Sequence, residues 1–131
     1  MLVLGMDTTA VIASVAVAEI DDYIKTYSLF SLKNRLTHSE NLMPMVEQVI
    51  ELFGVKPSEL ALLAVSVGPG SFTGVRIGVS TVKGLSFASG GGIPCVAVST
   101  LEALAENLSQ HTGIICPLMD ARRQQFYNAL F

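Results

Sequence analysis

The opening of the chain alternates short apolar runs with polar turns, a pattern typical of β-strands. Residues 2–6 form a continuous apolar run, as expected of a strand that is buried on both faces. Two further runs, residues 11–18 and 23–29, follow polar turns at 7–9 and 21–22. In residues 11–18 the larger side chains fall mostly on odd positions, so one face of that strand is expected to pack more deeply. The pattern predicts a meander of three antiparallel strands, which argues against a dinucleotide-binding opening.

A helix is predicted next, and Gly54 is expected to end it. Thr37 and Glu40 have the spacing of a capping box at its start. Met43 and Met45 lie off the main apolar stripe of this helix, either as residues at the edge of the core or as a second apolar face for a partner. The stripe itself recurs at helical spacing and consists of Leu42, Val46, Val49, Ile50 and Phe53.

The middle of the chain alternates strand and helix. A buried strand at residues 61–67 runs into a glycine-rich loop at 68–74, and a helix over residues 72–89 leads to the glycines at 90–92. A short strand at 95–98 precedes a third helix, which Ser99 and Glu102 are expected to cap. Antiparallel strands followed by this alternation indicate a mixed sheet flanked by helices. The apolar face of the third helix is predicted to consist of Leu101, Leu104, Ala105 and Leu108.

The end of the sequence echoes its beginning. Residues 114–120, like residues 2–7, form an apolar strand that ends in Met-Asp, and a polar turn at 121–125 and an apolar strand at 126–131 follow. A lone hairpin is barely stable in water. We therefore expect a first α/β domain over residues 1–112. Residues 113–131 are expected to be the first hairpin of a second, duplicated domain whose remainder lies beyond this sequence.

Composition narrows the class of protein. Half of the 131 residues are apolar, 15% are charged and the net charge is −3. The longest basic run is Arg122-Arg123, whereas a protein that binds nucleic acid unaided usually shows a basic patch. No apolar run is long enough to predict a membrane span.

Cys95 and Cys116 lie in apolar runs without a C-x-x-C pair, which predicts buried free thiols in a reducing compartment such as the cytoplasm.

The glycine loop allows two interpretations. Gly68, Gly70 and Gly74 do not match the dinucleotide fingerprint, because the last interval is one residue too long, and the sequence contains no P-loop. Backbone N–H groups and the N-terminus of the following helix are nonetheless suited to an anion. Alternatively, Gly74 and Gly78 permit close helix packing, and residues 68–70 form a tight turn.

The turn at Asp7, Thr8 and Thr9 also allows two interpretations. Its carboxylate and hydroxyls suit a phosphate or a magnesium ion, and turn chemistry explains the same residue types. His38 and His111 lack the spacing of a metal site, and no nucleophile motif is present. No catalytic residue and no metal ligand are predicted.

Four segments together carry a family resemblance: GMDTT at residues 5–9, HSENLMP at 38–44, VGPGSFTGVRIG at 67–78 and MDARR at 119–123. In this order along the whole chain they resemble the bacterial TsaB (YeaZ) family. That family is the non-catalytic subunit of the tRNA threonylcarbamoyladenosine machinery. The resemblance implies an actin, sugar-kinase and Hsp70-like (ribonuclease H-like) fold, with two duplicated α/β halves and a nucleotide cleft between them.

The resemblance also implies a function. A TsaB-like subunit is the scaffold for a metal-binding catalytic sister, TsaD-like, which transfers threonylcarbamoyl to N6 of adenosine 37 in tRNAs that read codons beginning with A. A TsaE-like ATPase joins the pair, tRNA is bound only through the complex, and no membrane is involved. The subunit has no cofactor of its own, although ATP or ADP with magnesium at the complex interface is compatible with the resemblance. Where the sister has its H-x-E-G-H metal motif, residues 100–104 read TLEAL, and neither Thr nor Leu replaces imidazole.

The family dimerises through its first two long helices, and the resemblance assigns the same role to residues 38–53 and 72–89 here. A homodimer that exchanges this surface for the catalytic sister is expected. Arg76 and Lys83, seven residues apart on one helix face, either flank the contact or are simply solvated. Asp7, Thr8 and Thr9 are carried over as a nucleotide-like loop. The partner surface is predicted to comprise Leu42, Met43, Met45, Val46, Phe72, Val75, Arg76, Val79, Val82 and Lys83.

Two other functions remain open at the level of sequence. One is the N-terminal half of an ATP-dependent small-molecule kinase of the same fold, for which Asp7 would be needed and whose second phosphate loop and adenosine pocket would lie outside this sequence. The other is a relative of the same fold with no connection to tRNA.

Overall fold

Five strands form one mixed sheet in the computed structural model, which describes residues 1–33, 38–90 and 92–131. The central strand β1 (Leu2–Asp7) pairs antiparallel with β2 (Ala13–Ile20) and parallel with β4 (Leu62–Ser66). Strand β3 (Ile24–Leu32) pairs antiparallel with β2, and β5 (Cys95–Val98) pairs parallel with β4. The order β3-β2-β1-β4-β5 confirms the predicted meander and the mixed sheet.

Two helices cover one face of this sheet. Helices α1 (His38–Phe53) and α2 (Phe72–Ala88) share a single core with the strands. On β2 the odd positions are the buried ones, as predicted. The core side chains come from β1, β2, β4, α1, α2 and the segment before β4: Leu4, Met6, Ala13, Val15, Val17, Leu42, Met45, Val46, Val49, Ile50, Leu60, Leu63, Val65 and Val82.

The opposite face of the sheet is more open. Gly5, Ala16 and Ala64 line a shallow depression there, together with Ala103 of the short helix α3 (Thr100–Glu106). Ser99 caps α3 as predicted, because its side chain accepts a hydrogen bond from the Glu102 N–H.

The side-chain pattern of α3 differs from the prediction. Leu101 and Ala105 are buried, but Leu104 and Leu108 are exposed. The helix ends at Glu106, so Leu108 lies beyond it and only one turn of the predicted apolar face reaches the protein.

The prediction that Met45 lies off the main apolar stripe of α1 is wrong. It is only 2% exposed and belongs to the core, whereas Met43 is 40% exposed. Met45 lies three residues after Leu42 and four before Val49, which is the spacing of one helix face. The off-stripe assignment was therefore wrong for Met45. The predicted capping box at Thr37 lies outside the described residues.

Strand β2 begins at Ala13 rather than at residue 11, and β3 extends to Leu32 rather than ending at 29. Val11 and Ile12 are exposed in the connection. The turn before β2 is longer than predicted because Thr8 and Thr9 contact the glycine loop instead of starting a tight hairpin.

The two cysteines were predicted to be buried and are exposed. Cys95 lies on β5, which forms one edge of the described sheet. Apolar neighbours in the sequence therefore do not bury its side chain. Cys116 lies in the segment that leads to the last hairpin and not in a strand.

The last hairpin forms a separate two-stranded sheet. Strands β6 (Leu118–Arg122) and β7 (Gln125–Asn128) are joined by a turn in which Arg122, Arg123 and Gln124 have positive φ. Both strands are shorter than predicted. Ile115 and Phe131 extend the pairing through two backbone hydrogen bonds. The assignment of residues 113–131 to a second domain stays a prediction.

Candidate functional site

The turn after β1 lies directly against the glycine loop. The Thr8 hydroxyl donates a hydrogen bond to the Gly74 carbonyl at 2.7 Å, across 66 residues of sequence. The Ser71 N–H donates to the Thr9 carbonyl at 2.6 Å. Two of the sequence motifs are therefore parts of one structure, in which the end of β1 holds the N-terminus of α2.

The polar groups of this turn bond one another. One oxygen of the Asp7 carboxylate accepts from the Thr9 N–H and from the Thr9 hydroxyl, both at 2.7 Å. Thr8 and Thr9 are buried. Both hydroxyl hydrogens thus serve the protein itself, and turn chemistry accounts for these residue types. A nucleotide-binding role for Asp7, Thr8 and Thr9 stays a prediction.

The glycines of the loop are required by close packing. A Cβ on Gly74 would overlap the Thr8 carbonyl oxygen, and a Cβ on Gly70 would lie 2.5 Å from the Thr9 carbonyl oxygen. On Gly78 it would lie 2.7 Å from the Thr8 hydroxyl oxygen. Only glycine allows backbone to approach this closely, so the packing interpretation of Gly74 and Gly78 is confirmed.

The same contacts use the donors that an anion would need. The Ser71 N–H is bonded to Thr9, and the Gly74 N–H donates to the Ser71 hydroxyl at 3.2 Å in an N-cap. A phosphate at this helix N-terminus would have to compete with both bonds. Two of the donors at this helix start are therefore already bonded within the protein, and anion binding by the loop stays a prediction.

The predicted partner residues divide into two groups by burial. Leu42, Met45, Val46 and Val82 are core residues and contribute almost no surface. A side chain that is already enclosed cannot supply contact area to a partner, so these four are removed from the predicted surface. The members that reach solvent are Met43, Phe72, Arg76 and Lys83, with Val75 and Val79 half-buried.

Helix α2 presents an aromatic–cation pair on its outer side. Phe72 is 71% exposed, and the Arg76 guanidinium lies over its ring, 3.8 Å from the centroid. Arg76 and Lys83 are the charged residues of α2, whereas α1 carries three glutamates and no Lys or Arg. The two helices that cover the same face of the sheet therefore have opposite charge.

A groove separates the two helices toward their C-terminal ends. Its volume is about 1020 Å³, with Leu4 and Leu63 at its base. Leu85 and Ala88 form its α2 side, and Met43, Val46 and Ile50 line its α1 side. Glu47, Glu51 and Lys56 are its charged lining residues.

Sequence reasoning missed this groove. The signal that was available is the pair Glu47 and Glu51, one turn apart on the exposed side of α1. The groove itself depends on how α1 and α2 diverge over the sheet, which no local pattern records.

The described residues also bear on metal and membrane chemistry. Among residues 1–33, 38–90 and 92–131, no three His, Cys, Asp or Glu side chains lie close enough together to hold a metal ion. Across the same residues, no helix combines the length and the apolar character that crossing a bilayer requires.

Comparison with known proteins gives a consistent set of similarities. Residues 33–131 match the family model TsaD, described as tRNA N6-adenosine threonylcarbamoyltransferase. The chain is 39% identical to the tRNA threonylcarbamoyladenosine biosynthesis protein TsaB of Bacillus subtilis (strain 168), covering 100% of this chain and 55% of that protein. It is 34% identical to the Escherichia coli (strain K12) protein of the same name, covering 97% and 53%. The chain thus spans about half the length of these curated relatives.

A solved structure extends the similarity to three dimensions. YeaZ from Pseudomonas aeruginosa matches with a TM-score of 0.84 and 31% identity, covering 99% of this chain and 58% of that one. This likeness, together with the family model, confirms the actin-like and ribonuclease H-like fold class expected from the sequence.

Proposed function

Since the chain belongs to the TsaD family of tRNA N6-adenosine threonylcarbamoyltransferases, and within it to the TsaB (YeaZ) group whose N-terminal portion it matches, we propose that it is a non-catalytic scaffold and dimerisation subunit. The complex that it supports transfers threonylcarbamoyl to N6 of adenosine 37 in tRNAs that read codons beginning with A. The relatives named for this pathway favour tRNA modification over the kinase alternative and over a fold relative unconnected to tRNA.

The observation that carries the proposal is the outer surface of α1 and α2. It combines exposed apolar side chains, Met43 and Phe72, with charges of opposite sign on the two helices. Interfaces are enriched in Met, Phe and Arg relative to the rest of a protein surface. This surface is suited to a protein partner rather than to a small substrate.

A second observation supports the non-catalytic role. Thr100 and Leu104, which stand where the catalytic sister has the two histidines of its metal motif, both lie on α3, Thr100 buried at its start and Leu104 41% exposed. Neither side chain offers the nitrogen or sulfur that zinc-like ions prefer. In the proposed division of labour, the metal and the chemistry belong to the sister subunit.

The proposed partners are a metal-binding TsaD-like subunit, a TsaE-like ATPase and, in their absence, a second copy of this chain. Contact with tRNA is made only through the complex, which agrees with a net charge of −3 and with the lack of a long basic run. The proposed location is the cytoplasm. Any ATP or ADP with magnesium is held at the complex interface, in agreement with the internally bonded turn at Asp7–Thr9.

Size exclusion with light scattering tests the proposal. The chain is measured alone and mixed with the metal-binding homologue of the same organism, and a homodimer is expected to give way to a heterodimer. Met43→Glu is expected to block the heterodimer, because it places a charge on the apolar contact. Leu104→Glu, at a leucine that is 41% exposed on α3, is the matched control and should have no effect.

Two results would contradict the proposal. If the two proteins elute independently at micromolar concentration, the partner role is wrong. If the chain binds ATP stoichiometrically without the homologue, the kinase alternative regains support.

A further inference from the structure

Strand β3 is an exposed edge of the five-stranded sheet. In the part of the chain that the structure describes, it pairs on one side with β2 and has no strand on its other side. The strand is nine residues long, whereas strands of globular proteins usually have about five or six. An edge of this length offers a row of backbone N–H and C=O groups with which another strand can pair.

The features that usually protect a sheet edge are scarce on β3. Natural edge strands are blunted by proline, by several charges or by a short length. Residues 24–32 contain no proline and one charged residue, Lys25, whose ammonium pairs with the Asp21 carboxylate at 3.1 Å. Tyr27 and Leu29 are both more than half exposed. The outer side of β3 is therefore suited to an apolar strand and does not repel one.

Tyr27 and Leu29 also lack large neighbours within their own sheet. Leu29 lies on the open face of the sheet, and Tyr27, two residues earlier on the strand, shares that face. Their partners on β2 are Ala18 for Tyr27 and Ala16 for Leu29. Because an alanine offers little contact across a strand pair, a further strand on the outer side of β3 would bury surface that β2 leaves exposed.

The sequence of β3 is self-complementary about its midpoint, which is Ser28. An antiparallel pairing of two β3 strands about Ser28 aligns all nine residues. Tyr27 of one copy then lies opposite Leu29 of the other, which is a favourable pair of an aromatic and an aliphatic side chain. Lys25 lies opposite Ser31 and not opposite its own counterpart, so like charges are kept apart. A second copy of this chain therefore satisfies both the backbone and the side chains of the edge.

From these observations we infer that two copies of the chain associate edge to edge through β3, in an antiparallel pairing centred on Ser28. The two sheets then form one continuous sheet, and the contact is isologous because both copies use the same strand. The pairing does not use the outer surface of α1 and α2, which stays available to a different partner. It goes beyond the proposed function and does not depend on it.

Disulfide trapping tests the pairing and its register. In a chain that carries Cys95→Ser and Cys116→Ser, the further change Ser28→Cys is expected to give an intermolecular disulfide under mild oxidation. Residues directly opposite on antiparallel strands have Cα atoms about 4.5–5.5 Å apart, which a disulfide can span. Thr26→Cys, on the same face of the same strand, is the matched control. It would lie about 14 Å from its counterpart along the strands and should stay reduced.

Sedimentation equilibrium over a concentration series tests the apolar pair. The chain carries Met43→Glu, so that association through α1 and α2 does not contribute. Leu29→Lys is expected to raise the dimer dissociation constant at least about tenfold, because it places a charge opposite Tyr27 of the other copy. Leu118→Lys, at a leucine that is 64% exposed on β6, should change the constant less than about twofold. Unchanged thermal unfolding of Leu29→Lys shows that the loss concerns association.

Three results would overturn the inference. The first is a Ser28→Cys chain that stays monomeric after oxidation, and the second is a Thr26→Cys chain that crosslinks as readily. The third is a Leu29→Lys chain that associates as tightly as its parent.

Mixing the Ser28→Cys chain with the metal-binding homologue separates this inference from the proposed function. A heterodimer that forms without the disulfide contradicts the edge pairing and leaves the scaffold role intact. A disulfide that forms without any heterodimer supports the edge pairing and contradicts the scaffold role.

Discussion

Gly74 and Gly84 lie ten residues apart on α2, but their surroundings are opposite. A Cβ on Gly74 would overlap the Thr8 carbonyl oxygen, whereas a Cβ on Gly84 would meet nothing within 4 Å. Gly74→Ala is therefore expected to lower the free energy of unfolding by about 3 kcal/mol, since backbone must move to accommodate the methyl group. Gly84→Ala should raise it by about 0.5–1 kcal/mol, because alanine favours the helix.

Urea denaturation of the two variants and the wild type measures both effects. If Gly74→Ala is as stable as the wild type, the turn after β1 does not hold the helix as closely as the Thr8 hydrogen bond indicates. Thr8 and Gly74 show how far the sequence alone can predict the role of a single residue. The glycine spacing predicted either an anion loop or close packing, and the choice required the position of Thr8, 66 residues away along the chain.

Most helices and strands of this protein can be predicted from sequence patterns alone, but some of their ends cannot. The three helices, the meander and β5 at Cys95–Val98 are predictable, because each leaves a periodic apolar signal or a capping residue. The start of β2 and the length of α3 are not. Because Thr9 contacts the glycine loop, β2 begins later in the chain than its apolar pattern predicts. Helix α3 ends at Glu106, although its apolar pattern continues to Leu108. Both depend on contacts remote in sequence.

The two methionines of α1 test which face of this helix is internal. Met45→Ala is expected to cost about 2–5 kcal/mol of unfolding free energy, because it opens a cavity among Leu42, Val49 and the sheet. Met43→Ala, at a side chain that is 40% exposed, should cost less than about 1 kcal/mol. Thermal or denaturant unfolding compares the pair, and equal costs would mean that α1 turns a different face toward the sheet.

At the scale of the whole molecule, the two sheets differ in how they are supported. Strand β1 has a partner on each side and helices above it, whereas β6 and β7 pair with each other. An isolated two-stranded hairpin is marginally stable in water. Native-state hydrogen exchange of the chain is therefore expected to be slowest in β1 and β4 and at least about a hundredfold faster in β6 and β7.

Mass spectrometry of exchanged peptides resolves the two regions. Equal protection of residues 118–128 and of β1 would show that the hairpin is held by contacts beyond its own pairing. The sequence anticipated this hairpin through its likeness to residues 2–7. It did not reveal the groove between α1 and α2, because a groove is a property of two packed helices and not of either one.

The hydrogen bonds at the start of α2 are also expected to lower the entropy cost of binding a partner through Phe72. The Ser71 N–H is bonded to the Thr9 carbonyl, and Gly74 lies against Thr8, so the main chain is anchored to the turn after β1 on both sides of Phe72. Ordering a flexible side chain at an interface costs about 0.5–1.5 kcal/mol, and ordering a loop adds to that. With Arg76 stacked on it, Phe72 is pre-organised for binding. The surface should therefore dock as a rigid body, and most of the free energy gained by burying the ring should appear as affinity.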